Sequence, residues 1–87
     1  MRVEVTVYFT LREKLGWSSR WLELSGTRLR DVIEALPKLR DLLLSNGDLS
    51  PEFRVLIDGR NAVFLGGLEA EVRDGSRIVI FPPAGGG

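Results

Sequence analysis

The chain has 87 residues, 44% of them hydrophobic, and twelve basic side chains balance twelve acidic ones. That length allows one domain with a modest core, with stability on the order of 5 kcal/mol, and the neutral balance gives no overall attraction to nucleic acid or to an anionic membrane. With neither cysteine nor histidine, the chain has no disulfide framework, no thiol nucleophile, no thiolate or imidazole metal ligand and no imidazole acid–base group.

Charges are interleaved through MRVEVTVYF, so this stretch is neither a signal peptide nor a membrane span, and a cytoplasmic protein is expected. Residues 2–9 alternate, with Val3, Val5, Val7 and Phe9 on one face and Arg2, Glu4, Thr6 and Tyr8 on the other. That period of two predicts a strand. TLREKLG reads as a short helical turn closed by Gly16. RWLEL alternates again, with Leu22 and Leu24 on one side.

Ser25-Gly26-Thr27 punctuates the chain, and Thr27 is expected to cap the next helix, with Asp31 in its first turn. Leu29, Val32, Ile33 and Leu36 then form one apolar stripe. Pro37 ends or kinks that helix. Leu39, Leu42 and Leu43 repeat the spacing until Asn46-Gly47-Asp48 breaks it. FRVLIDGR predicts a third strand running into an Asp58-Gly59 turn, and NAVFL a short fourth. Glu69, Glu71 and Asp74 read as a solvated acidic stretch. RIVIF, residues 77–81, is the last strand and apolar enough to be central.

This order predicts an α+β domain over residues 1–81. It would be a mixed sheet of four to five strands with a helix packed across one face, as in the ubiquitin-like β-grasp, with the first and last strands adjacent. Tyr8, Leu56, Val79 and Phe81 would then share the outer face, an apolar partner surface. Trp17 and Trp21 are expected to cover the core or an edge.

Residues 82–87, PPAGGG, read as a flexible C-terminal tail. Pro82 and Pro83 lack amide donors and stop sheet pairing. No side chain follows Ala84, so Gly85, Gly86 and Gly87 suit a channel too narrow for other residues. The reactive group there is the Gly87 carboxylate, ionised at neutral pH and a poor electrophile until another enzyme activates it. The competing reading is a frayed glycine end with no role.

VYFTLREKLG, TRLRDVIEAL, FRVLIDGRNAVFLGGLEAEVRDGSRIVIF and the ending FPPAGGG carry a resemblance to the sulfur-carrier family of ubiquitin-like proteins (MoaD/ThiS). It covers nearly the whole chain, and FPPxxGG after the last strand is its most specific part. The resemblance implies the role of the small subunit of molybdopterin synthase, not an enzyme by itself. An E1-like adenylating enzyme would spend ATP on the Gly87 carboxylate, which becomes a thiocarboxylate. The tail, Pro82, Pro83, Ala84, Gly85, Gly86 and Gly87, would enter the large synthase subunit and give sulfur to a pterin precursor for the molybdenum or tungsten cofactor. The carrier would bind no cofactor, metal, nucleic acid or membrane. Two alternatives share the tail: a protein modifier conjugated to lysines, and a carrier for thiamine or cysteine synthesis. Ser76 and Arg77 depart from the acidic residues that relatives often carry there.

Overall fold

A computed structural model of the chain describes residues 1–83. Its elements run β1 (Arg2–Val7), α1 (Thr10–Leu15), β2 (Ser19–Glu23), α2 (Leu29–Glu34), α3 (Pro37–Leu43), β3 (Leu44–Ser45), β4 (Asp48–Leu49), β5 (Arg54–Ile57), β6 (Arg60–Asn61) and β7 (Arg77–Phe81). Two 3₁₀ turns, Ala62–Leu65 and Gly67–Glu69, lie between β6 and β7. The sheet order is β2-β1-β7-β5-β6, with β1 and β7 parallel at its centre. This is the expected β-grasp.

Alternation sets the two faces. Val3, Val5 and Val7 of β1, Val55 and Ile57 of β5, and Ile78 and Ile80 of β7 are buried under the helices. The predicted stripe of Leu29, Val32, Ile33 and Leu36 is buried against them, as are Leu39 and Leu43 of α3. Pro37 interrupts the helical run and opens α3, where its missing N–H costs nothing. Gly16 closes α1 with φ of 83°, in the left-handed region.

Three expectations are corrected. Phe9 does not continue the core face; its φ of 53° turns the chain out of β1, and the ring is 69% exposed. Thr27 does not cap α2. The N-cap is Arg28, whose N–H donates to Asp31 Oδ2 at 3.0 Å. NAVFL is not a strand, because pairing ends at Asn61 and the chain enters a 3₁₀ turn.

Two further turns follow local chemistry. Asn46-Gly47 has positive φ at both positions (53° and 79°) and closes a β3–β4 hairpin absent from the sequence reading. Asp58-Gly59 does the same between β5 and β6, with φ of 49° and 85°. Such primed turns match the twist of the strands they join.

Candidate functional site

β7 delivers the end of the described chain. Its register pairs Val79 with Thr6 on one side and Leu56 on the other, and Phe81 with Arg54. The ladder between β1 and β7 extends one residue further, with Tyr8 N–H donating to the Ile80 carbonyl at 3.2 Å. Tyr8, Leu56, Val79 and Phe81 therefore lie on the sheet face opposite the helices. All four are half-buried. The rings of Tyr8 and Phe81 stack with centroids 5.0 Å apart. Pro82 is half-buried and Pro83 exposed. Ala84, Gly85, Gly86 and Gly87 lie outside the described residues.

The structure adds residues that alternation alone did not reveal. Phe9 sits 6.1 Å from the Tyr8 ring, so three aromatic rings border the exit of β7. The Arg12 guanidinium lies over Tyr8 at 5.1 Å, a cation–π contact, and also donates to the Val7 carbonyl at 3.3 Å. A groove of about 490 Å³ opens beside Phe81 and Pro82, between Phe53, Arg54, Asn61 and Val63. The 3₁₀ turn after β6 exposes Val63 and Phe64, the latter 84% accessible. Phe9 could have been anticipated from its place as the N-cap of the helix beginning at Thr10, a position whose backbone departs from the strand conformation. Val63 and Phe64 carried no such signal.

The opposite end of the same face is polar. Arg77 Nε donates to Glu4 Oε1 at 2.9 Å, and Ser19 Oγ to Glu4 Oε2 at 3.2 Å. Trp21 lies beneath the Arg2 guanidinium, 4.8 Å from its ring centroid. The outer face thus grades from charged, where β7 begins, to aromatic, where it ends. An exposed apolar patch with a polar border is the usual make-up of a docking surface.

The acidic stretch does not form a catalytic pair. Glu69 binds Arg30 at 2.7 Å, which raises the Arg30 pKa by hydrogen bonding and charge. Asp74 accepts from the Arg2 N–H at 2.8 Å. Ser76 is buried, donating to Asp58 Oδ2 and accepting from the Arg73 N–H, both at 2.9 Å. Asp58 thus reaches across the turn to both Ser76 and the Arg77 N–H. Among the described residues no cluster of three or more His, Cys, Asp or Glu side chains is placed to hold a metal ion. No helix there is long and apolar enough to cross a membrane.

Comparison with known proteins places this geometry. Residues 5–87 match the model of the ThiS family. Small archaeal modifier protein 3 of Haloferax volcanii is 32% identical over 92 aligned positions that cover the whole of both chains. The solution structure of small archaeal modifier protein 1 of Methanosarcina acetivorans superposes with a TM-score of 0.81 at 33% identity, covering 99% of this chain and 96% of that one. A chain of the BexX/CysO complex of Amycolatopsis orientalis superposes at 0.82 with 28% identity, covering 98% and 99%.

Proposed function

The chain belongs to the ThiS family, and we propose that it is a ubiquitin-like sulfur carrier whose working group is the carboxyl of Gly87. The observation that carries this reading is the sequence Phe81-Pro82-Pro83-Ala84-Gly85-Gly86-Gly87 following a central strand beside an aromatic face, within a family match that runs to residue 87.

The chemistry follows from the carboxylate. Attack of a Gly87 oxygen on the α-phosphorus of ATP, in a partner of the E1-like type, forms an acyl-adenylate and releases pyrophosphate. A hydrosulfide equivalent then attacks the carbonyl carbon and expels AMP, leaving a thiocarboxylate. This chain presents the tail, and its stacked aromatic face seats the partner. The side chains that act on ATP belong to that partner.

The thiocarboxylate has its best-fitting use as the sulfur source for a pterin dithiolene, with the chain as the small subunit of molybdopterin synthase and the tail inserted into the large subunit. The Phe-Pro-Pro exit supports this branch. A second reading draws on the whole-length similarity to a small archaeal modifier protein: a lysine amine, in place of sulfur, takes the acyl group and forms an isopeptide bond. The two differ only in the nucleophile.

Incubation of the chain with ATP, its activating enzyme and a sulfide donor tests the proposal. Intact mass should rise by the difference between sulfur and oxygen, at the C-terminal peptide. An unchanged mass under conditions that activate a known relative overturns it. Gly87 found on lysines of other proteins, with no sulfur transfer to a pterin precursor by the large subunit, selects the modifier reading.

A further inference from the structure

We propose that the open edge of β2, with the groove beside it, is a second interaction surface that takes an extended peptide segment with alternate apolar residues and an acidic flank. It is separate from the face beside β7 and does not depend on the tail chemistry.

The ladder decides which backbone groups are free. Met1 and Leu24 exchange two hydrogen bonds (2.8 and 2.7 Å), and the Val7 N–H donates to the Ser18 carbonyl at 2.9 Å. In antiparallel pairing such bonded pairs recur at every second residue. In the register of β1 with β2, the bonded pairs between those ends are Val3–Leu22 and Val5–Arg20. Ser19, Trp21 and Glu23 therefore direct their N–H and C=O groups away from β1, and no described strand lies there. The other edge is different: β6 has two residues and turns at once into a 3₁₀ helix. A short edge offers little to pair with, while a five-residue edge such as β2 offers a template.

The groove supplies selectivity. Arg20 shares the helix-side face with Val5, so a strand added outside β2 would place alternate side chains over the space between β2 and the α2–α3 junction. That space is a groove of about 390 Å³ lined by Leu15, Trp17, Leu36 and Leu39, and its only charged walls are Arg20 and Lys38. Arg20 stacks over the Trp17 ring at 5.4 Å, leaving its N–H groups available. Neither cation joins an ion pair among the described residues. Backbone pairing, an apolar trough at two-residue spacing and a cationic border together specify the occupant. Because β1 separates β2 from β7, a peptide could be held here while the other face engages an enzyme.

The test is titration of the full chain with a synthetic peptide that alternates valine and threonine and ends in a run of aspartates. A peptide ending in lysines is the control. Saturable binding is expected, with slowed exchange of the Ser19, Trp21 and Glu23 amides and a change in Trp17 fluorescence. The double variant R20E/K38E, exposed on the surface and so compatible with folding, should weaken the aspartate peptide by at least about tenfold and favour the lysine peptide. Trp21→Pro removes one outward N–H without touching the β1 ladder and should abolish binding. No saturable binding, binding mapped to the Tyr8–Phe81 face, or indifference to the charge reversal overturns the proposal. Protection of the β2 amides by self-association of the chain also overturns it and assigns the edge to a second copy.

Discussion

The ring of Tyr8 lies 5.0 Å from that of Phe81, with the two planes 9° apart. The contact arises because Val7 pairs with Ile80 across the parallel centre of the sheet, which makes the next residues of both strands neighbours. It joins the residue after β1 to the last residue of β7, where the chain leaves the sheet. The same pair, with the exposed Phe9 ring beside Tyr8, lines that exit with apolar surface.

Phe81→Ala removes the stack together with a half-buried aromatic side chain. A stability loss of about 1–2 kcal/mol is expected, which leaves the domain folded. If the ring seats the partner as proposed, KM for the carrier in ATP–pyrophosphate exchange with the activating enzyme should rise about tenfold or more while kcat changes little. An unchanged KM would remove this face from the partner interface.

Deletion of Gly86 and Gly87 is the complementary experiment. Neither residue has a side chain to withdraw from the core, whose buried members among the described residues end at Ile80. The urea midpoint should stay within error of the parent, and adenylation should fall to background. Loss of folding would show that the last residues do more than present a carboxyl. Full activity would end the carrier reading.

Much of the fold was legible because burial here follows simple periods. Val3, Val5 and Val7 alternate, Leu29, Val32, Ile33 and Leu36 recur at helical spacing, and both sets are buried. The placement of Tyr8, Leu56, Val79 and Phe81 on one outer face follows from the same alternation once β1 and β7 are adjacent. What escaped depends on single backbone angles. At Phe9 a positive φ ends the alternation one residue earlier than side-chain pattern suggests. NAVFL has a strand composition, yet Asn61 Oδ1 accepts from the Val63 N–H at 3.0 Å and starts a turn. Asparagine competing for a local amide overrides a weak β preference. The β2 edge and its groove join residues from three separate elements, which no one-dimensional pattern shows.

Asp58 ties the start of β7 to the end of β5. Its N–H donates to the Arg77 carbonyl, its Oδ1 accepts from the Arg77 N–H and its Oδ2 from Ser76 Oγ, each at 2.9 Å. Asp58 also holds a φ of 49°. Asp58→Ala should therefore cost about 2–3 kcal/mol, combining lost charge-assisted bonds with an alanine in a left-handed position. Asp58→Gly loses the same bonds without the backbone strain and should cost about 1 kcal/mol less. Urea denaturation of both variants measures the difference. Equal costs would mean that the turn relaxes to another backbone conformation when the carboxylate is gone.

The last expectation concerns Gly26, where space and not backbone angle demands glycine. A Cβ there would collide with the Asp31 carboxylate, which is held in place by accepting the Arg28 N–H at the start of α2. Gly26→Ala should displace that carboxylate and cost about 1 kcal/mol, the usual value of a helix cap. Asp31→Ala should cost a similar amount by removing the cap directly, together with its favourable charge in the first turn. If both act through this one contact, the double variant should be little worse than either single one, a coupling of about 1 kcal/mol in a double-mutant cycle. Additive costs would show that the alanine disturbs the loop before α2 by some other route, and that Asp31 can cap the helix with a methyl group beside it.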